Sequence, residues 1–325
     1  MSIERRALVA PDDFKGTFTA AQVAGALAAG LRAGGVEAEE LPIADGGNGT
    51  MEAVVTATGG ELRTAIVTGP LGAPVEARWG LLPDGTAVVE MAEASGLVLI
   101  PAEERDAWAA TTRGTGELIA EAARAGARRV LVAVGGSATS DGGVGAVEAL
   151  EEADVEVPIA VMCDVRVPFE DAGVVFGPQK GADAAMVERL TARLHEIAER
   201  APRDPRGVPM TGGAGGLSGG LWAFRGAELQ PGAAFVLDTV GFDDRLRRTS
   251  FVVTGEGAMD EQTLTGKAVA EVATRARQAG VACHVVVGVN RLDPVRTRLL
   301  DIASVTEATT LEELERAGRA IATAP

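Results

Sequence analysis

Hydrophobic residues along the chain alternate between short continuous runs and stretches with helical spacing. The run Arg6–Ala10 is followed by apolar positions at helical spacing, and Thr19 and Gln22 have the spacing of a capping box at the start of that helix. This pattern predicts a strand, a loop and a helix. Comparable apolar runs predict four more strands, at 39–44, 251–254, 283–287 and 302–306.

These five strands alternate with helical segments, which is typical of a parallel, doubly wound α/β sheet. The middle of the chain differs, because residues 62–89 form short alternating runs broken at 69–72 and 83–85, as antiparallel hairpins do. We therefore predict a discontinuous, flavodoxin-like domain at 1–65 and 241–325. A second, inserted α/β domain with a mixed sheet is predicted at 66–240.

Composition narrows the class of protein. The chain has 325 residues, of which 46% are apolar, and a net charge of −16, which argues against nonspecific nucleic-acid binding. No apolar stretch is long enough to cross a bilayer and the start lacks a signal-peptide core, so we expect no membrane partner and a cytoplasmic location. Cys163 and Cys283 share no metal or redox spacing and are predicted to be core residues.

Lysine is rare in this chain, and its positions are informative. Of the 30 lysine and arginine residues, three are lysines, Lys15, Lys180 and Lys267, and each has a glycine neighbour. A lysine is a compact, mobile charge that can follow a phosphoryl group, whereas arginine is a rigid fork. The alternative is chance placement in solvated loops of a glycine-rich chain. We favour a functional role for the three lysines as a set.

Acidic residues repeatedly follow the ends of predicted strands, where open α/β sheets bind ligands. One or two of them could hold Mg²⁺ and another could orient an attacking hydroxyl, but Asp also commonly caps helices or forms Asx turns. Asp141 in particular is open to either role. The acids in this pattern are Asp12, Asp13, Asp45, Asp141, Asp164, Glu256 and Asp260.

Glycine-rich loops complete the pattern, at 134–143, 212–220 and 254–257. Backbone N–H groups in such loops, ahead of a helix, can form a concave surface for phosphate or carboxylate. The known phosphate-loop spacings do not fit, because Glu261 stands where the Walker motif ending at Gly266-Lys267 requires glycine. Spacing alone therefore indicates an anion site, with phosphoryl transfer favoured.

The chain also resembles the bacterial glycerate kinase family, glycerate 2-kinase type, over nearly its whole length. The motifs that carry the resemblance are Ala10–Thr17, Ala44–Thr50, Glu90–Leu97, Thr112–Ile119, Gly135–Gly143, Cys163–Val165, Phe176–Ala182, Gly212–Gly220, Thr254–Gly257, Asp260, Gln262-Thr263 and Gly266-Lys267.

This resemblance implies phosphorylation of glycerate by ATP with Mg²⁺, in a cleft between the two domains, with 2-phosphoglycerate favoured over 3-phosphoglycerate. The resemblance leaves open whether the protein forms a homo-oligomer. We predict catalytic roles for Lys15, Asp45, Asp141, Asp164, Lys180 and Lys267, with Asp141 and Asp164 as Mg²⁺ ligands. Substrate or nucleotide contacts are predicted for Asp12, Gly46, Gly47, Glu90, Gly135, Gly136, Ser137, Thr139, Gly213, Gly215, Glu256 and Asp260.

The chain departs from the family pattern at three places. Relatives usually carry an acid at the position of Asn48 and a basic residue at that of Ala258, and they have a longer segment where this chain has 150–162. Two alternatives therefore stay open: a kinase for a related small hydroxy acid, and a non-catalytic homologue that binds a nucleotide or sugar acid.

Overall fold

The computed structural model describes residues 5–14, 16–261, 263–265 and 267–324. Its strands are β1 Arg6–Val9, β2 Glu37–Glu40, β3 Glu61–Thr68, β4 Pro74–Leu81, β5 Thr86–Glu90, β6 Arg129–Ala133, β7 Ile159–Met162, β8 Glu228–Gln230, β9 Phe251–Met259, β10 Ala282–Asn290 and β11 Ile302–Glu307.

The α-helices, in chain order, are α1 Ala20–Ala33, α2 Thr50–Thr58, α3 Met91–Ser95, α4 Arg113–Arg124, α5 Val144–Glu152, α6 Ala172–Phe176, α7 Ala184–Arg200, α8 Leu217–Arg225, α9 Gly232–Thr239, α10 Phe242–Leu246, α11 Ala268–Ala279, α12 Pro294–Leu299 and α13 Leu311–Thr323.

The chain divides into two compact units, which we call the outer unit, Met1–Asp45 with Ala233–Pro325, and the inner unit, Gly46–Gly232. The first division comes earlier in the chain than the predicted 65/66. Helix α2 packs on β4 and β5, and a side chain at Gly80 of β4 would collide with Val55 of α2, so this helix belongs to the inner unit.

The outer unit contains a parallel sheet in the order β11-β10-β9-β1-β2. Read from β2, this is the 2-1-3-4-5 order of flavodoxin-like folds, which confirms the predicted class. Helices α1 and α13 cover one face, with Leu27, Leu31 and Leu314 fully buried between them and the sheet. The capping box predicted at Thr19 and Gln22 is present.

Two predictions about strands in this sheet are wrong in detail. Strand β2 covers Glu37–Glu40 rather than 39–44, because an edge strand tolerates charged residues and Pro42 lacks an N–H group. The glycine-rich segment 254–257 is a strand rather than a loop. A side chain at Gly255 would lie 2.0 Å from the Val286 carbonyl oxygen, so glycine is required by close packing on β10.

The inner unit contains a mixed sheet in the order β3-β4-β5-β6-β7-β8. Strands β3, β4 and β5 form the predicted antiparallel hairpins, and β5 to β8 are parallel. Gly72 and Gly85 have positive φ values of 92° and 82° in the two hairpin turns. Trp79, Leu118 and Val132 lie in the core between this sheet and its helices.

Each unit contains one of the two cysteines, and both are buried as predicted, with exposures of 3% for Cys163 and 1% for Cys283. In the described part of the chain, no helix is both long enough and apolar enough to cross a membrane.

Candidate active site

A pocket of about 320 Å³ opens at the carboxyl edge of the outer unit's sheet. We call it the edge pocket. Its walls come from the segments that follow β1, β2 and β11 and from the carboxyl ends of β9 and β10, with Phe14, Gly288 and Thr309 among them. Ligands of open parallel sheets bind at this edge, because the loops that leave the strands converge there.

The lining of the edge pocket is strongly acidic. Among the described residues that line the pocket, Lys267 is the one cation, and it is the N-cap residue of α11. Ala258 also lies in the wall, so the position where relatives usually carry a basic residue contributes no charge here. The structure therefore brings together these predicted acids and lysine: Asp12, Asp13, Asp45, Glu256, Asp260 and Lys267.

Glu256 and Lys267 form an ion pair in this pocket. The Lys267 ammonium is 3.8 Å from Glu256 Oε2, which is beyond hydrogen-bond length. The Thr263 hydroxyl donates to the other oxygen, Oε1, at 2.7 Å. Glu256 is 6% exposed and the Lys267 side chain 22% exposed, so the carboxylate is fixed while the ammonium is accessible from the pocket.

The inner unit arranges its glycine-rich motifs around one segment, residues 134–143, which we call the central loop. Ala138 and Gly136 hydrogen-bond to the segment 95–97, and Gly142 N–H donates to Gly215 O at 3.1 Å. A side chain at Gly215 would lie 1.9 Å from the Thr139 carbonyl oxygen. Glycine is therefore needed at 215 for the backbone to approach the central loop.

Asp141, in the central loop, is buried and accepts hydrogen bonds from its surroundings. Oδ2 accepts from the Thr112 amide and hydroxyl, each at 2.8 Å, and from the Thr111 hydroxyl and the Gly145 amide. Oδ1 accepts from the Gly143 amide at 3.1 Å. The carboxylate thus joins the starts of α4 and α5, which is the capping role that the sequence had left open beside a catalytic one.

Glu90 plays a similar part at the end of β5. Its Oε1 accepts from the Met51 amide at 2.8 Å, and the Gly49 amide also donates to this carboxylate, at the start of α2. Burial raises the pKa of Glu90 to about 7, because desolvation disfavours the charged form more than the two amides favour it.

Glu90 therefore anchors the segment Gly46–Thr50. This segment packs on the central loop: Val134 N–H donates to Gly46 O, and side chains at Gly135 and Gly136 would collide with Gly47 and Asn48.

Lys180 ends a short 3₁₀ turn and is 1% exposed. Its ammonium donates to the Thr139 carbonyl oxygen, and burial lowers the pKa of this lysine to about 7, opposed by the charge of Asp141. Lys180 is therefore brought to the central loop rather than to open solvent. Gly213 begins the 3₁₀ turn that precedes α8, and a side chain there would collide with Cys163 and Ser218.

Two predicted catalytic residues remain to be placed. Asp164 is half-buried after β7, where Oδ1 accepts from the Gly232 amide at 2.7 Å. Lys15 lies outside the described residues. Sequence reasoning missed Thr17 and Thr309 as pocket residues and Thr263 as the partner of Glu256. A signal was present for Thr309, because it follows a strand of the sheet as the predicted acids do.

Among the described residues, no group of three or more histidine, cysteine, aspartate or glutamate side chains is arranged to hold a metal ion. The acids of the edge pocket and Asp141 thus do not form a preassembled all-protein metal cage. A site that keeps waters and phosphate oxygens as ligands needs fewer carboxylates.

The chain combines a flavodoxin-like sheet, with charged residues at its carboxyl edge, and a mixed-sheet unit rich in glycine loops. These features define an α/β protein that binds its ligand at the edge of a parallel sheet. Comparison with known proteins specifies the family. The model of the glycerate kinase family matches residues 7–154 and 151–323, and the chain belongs to this family. It is accordingly a kinase.

Two relatives and a solved structure agree with this assignment. The chain is 40% identical to glycerate 2-kinase of Escherichia coli K12, covering 83% of this chain and 82% of that protein. It is 39% identical to glycerate kinase of Bacillus subtilis 168, covering 84% and 82%. The crystal structure of a "putative glycerate kinase 2" from Salmonella typhimurium LT2 matches with a TM-score of 0.83, 34% identity and coverage of 98% of both chains.

Proposed function

We propose that this kinase transfers the γ-phosphoryl group of ATP to glycerate and releases 2-phosphoglycerate. The observation that carries the proposal is the edge pocket, where Lys267 lies 3.8 Å from Glu256 among further carboxylates at the ends of parallel strands. Phosphoryl transfer depends mainly on positioning and on charge neutralisation, and a mobile ammonium beside fixed carboxylates can supply both. The name of the Escherichia coli relative supports the 2-phosphoglycerate product.

In this proposal Lys267 contacts the transferred phosphoryl group. Its distance from Glu256 leaves the ammonium able to turn toward an anion, and glycine-bounded Lys15 is proposed as a second contact. Asp45 and Asp12, which also line the pocket, are proposed to bind and orient the glycerate hydroxyls, since carboxylates accept hydrogen bonds from hydroxyl groups.

Mg²⁺ is proposed as the companion of ATP. The five carboxylates of the edge pocket repel a triphosphate unless a cation compensates them, and oxygen ligands are those that Mg²⁺ prefers. One or two of these acids with phosphate oxygens and water would hold the ion. When bound, it would neutralise charge on the phosphate oxygens. The pocket acids suit this role better than Asp141, whose oxygens already accept five hydrogen bonds.

The central loop is proposed to contribute nucleotide contacts. Gly135, Gly136 and Ser137 come directly after β6, and backbone groups of glycine-rich loops at this place in α/β sheets commonly approach phosphates. Asp141, Glu90 and Lys180 would then act by holding the loop in shape, since all three side chains are buried.

The proposal is tested with purified protein, Mg·ATP and D-glycerate, coupled to enolase, pyruvate kinase and lactate dehydrogenase. We expect NADH oxidation without added phosphoglycerate mutase, because 2-phosphoglycerate is the substrate of enolase. A signal that requires the mutase would assign 3-phosphoglycerate as the product. No signal in either arm, with ADP release from another small hydroxy acid, would assign a different acceptor.

A further inference from the structure

A buried hydroxyl group lies directly behind the edge pocket. Thr263 is 0% exposed and begins the 3₁₀ turn Thr263–Thr265, which follows β9. Its Oγ1 is 2.7 Å from Glu256 Oε1 and 3.0 Å from the Asp260 amide nitrogen. Thr263 therefore contacts two residues of the pocket wall, although its own side chain is closed from solvent.

The direction of these hydrogen bonds is fixed by chemistry. The Asp260 amide can only donate, so Thr263 Oγ1 accepts from it and its own proton is directed to the Glu256 carboxylate. The Thr263 amide in turn donates to the Asp260 carbonyl at 3.0 Å, which fixes the threonine backbone from the other side. The hydroxyl thus holds Glu256 from a rigid turn.

Fixing one oxygen of Glu256 determines where the other one lies. With Oε1 bound to Thr263, Oε2 faces the Lys267 ammonium at 3.8 Å. Because this separation is too long for a hydrogen bond, Lys267 is attracted to Glu256 by charge alone. The position of the ammonium therefore depends on where Thr263 holds the Glu256 carboxylate. A displaced Glu256 would therefore displace the ammonium as well.

We propose that Thr263 is a positioning residue of the edge pocket. Its hydroxyl holds Glu256, and Glu256 in turn places the Lys267 ammonium against the γ-phosphoryl group of ATP. The inference rests on the proposed function, because it takes the edge pocket as the site that binds ATP. Thr263 acts through its neighbours and does not touch the substrate.

The chain offers a matched control in Thr254, on β9. Thr254 is also 0% exposed, and its hydroxyl donates to the Ala10 carbonyl at 2.7 Å. Thr263→Val and Thr254→Val each remove one buried hydroxyl without changing side-chain size much. Only the first removes a hydrogen bond to a pocket carboxylate.

The experiment measures the dissociation constants of Mg·ATP and Mg·ADP by calorimetry, together with glycerate-dependent turnover, for the wild type, T263V, T263S and T254V. We expect T263V to weaken ATP binding and to lower kcat/KM for ATP, each about tenfold, with ADP binding changed less than about twofold. T263S should restore both quantities to within about threefold, and T254V should leave both unchanged, because neither lacks the hydroxyl that holds Glu256.

Equal weakening of ATP and ADP binding in T263V would overturn the proposal, since it would indicate a general loss of structure. The proposal would also fail if T263S behaved like T263V, or if T254V lost as much ATP affinity. A wild type that binds ATP without phosphorylating glycerate would defeat the proposed function alone, and the ratio of ATP to ADP affinity would still decide the role of Thr263. Absence of ATP binding by the wild type would overturn both.

Discussion

The acids of the two units start from the same sequence pattern and end in different surroundings. In the outer unit, Asp12, Asp45 and Asp260 follow strands and line an open pocket. In the inner unit, Glu90 ends β5 and Asp141 follows β6, and both carboxylates accept amide hydrogen bonds at helix starts. An acid near the end of a strand can therefore line a pocket or hold the start of a helix, and the folded surroundings decide between the two.

This comparison predicts a large loss of stability on substitution of Asp141. Asp141→Ala should lower the free energy of unfolding by about 4 kcal/mol, because buried donors at Thr112 and Gly143 would lose their acceptor. Urea unfolding measures this loss. Asp183→Ala provides the control, since Asp183 caps α7 through one exposed hydrogen bond and should cost about 1 kcal/mol.

An effect of Asp141 on turnover rather than on stability would contradict this distinction between the two units. If Asp141→Asn abolished kcat while the urea midpoint stayed unchanged, Asp141 would be a metal ligand or base as the sequence allowed, and the inner unit would also contribute chemistry.

The raised pKa of Glu90 leads us to expect that the stability of the protein depends on pH. Its pKa of about 7 in the folded protein lies above the ordinary glutamate value, so the folded state binds the extra proton between about pH 4.5 and 7. Stability contributed by this group is fully present below that window and is lost as pH rises through it. Glu90→Gln should therefore remove about 2.5 kcal/mol of the difference in unfolding free energy between pH 5 and pH 7.5.

Urea unfolding at the two pH values measures the effect, with Glu52→Gln on the exposed face of α2 as the control. A wild type and a Glu90→Gln variant with the same pH dependence would show that Glu90 keeps an ordinary pKa despite its burial.

Removing the charge of Lys267 should lower activity without a comparable loss of stability. Lys267→Met should lower kcat about 100-fold, because the transferred phosphoryl group would lose a neutralising charge in an acidic pocket. The coupled assay measures it, and Arg277→Met, which removes an exposed cation from the same helix, should leave kcat unchanged. Unchanged turnover in Lys267→Met would move the chemistry away from the edge pocket.

The smallest effect is expected at Ala258. Ala258→Lys adds a cation to the wall of the edge pocket and should lower the KM for ATP about threefold at low salt, with the difference fading at high ionic strength. Ala279→Lys, at the exposed end of α11, adds the same charge elsewhere. An equal fall in KM for both variants would indicate a general effect of net charge.

Much of the fold was predictable, because it depends on local patterns. The apolar runs and helical spacings predicted the five parallel strands, and the turns at 69–72 and 83–85 predicted the hairpins. The errors arose where burial and local hydrophobicity disagree. Strand β2 is polar because it is an edge strand, and the segment 254–257 is a strand whose glycines allow close contact with β10.

The site was predictable in part. Strand ends and the rare lysines pointed to Asp12, Asp45, Glu256 and Lys267, which the structure gathers in one pocket. The capping contacts of Asp141 were not predictable in detail, because its partner Thr112 is 29 residues away in the sequence. Thr263 was missed for a similar reason, since its role depends on the direction of a hydrogen bond that only the folded turn defines.

The burial of one cysteine in each unit gives the protein two built-in reporters. Burial raises the pKa of Cys283 to about 12, and Cys163 is 3% exposed, so neither thiol reacts with an alkylating reagent until its surroundings open. The labelling rates of Cys283 and Cys163, resolved by peptide mass, therefore follow the opening of the outer and inner units separately. The chain can be followed unit by unit during unfolding without any engineered label.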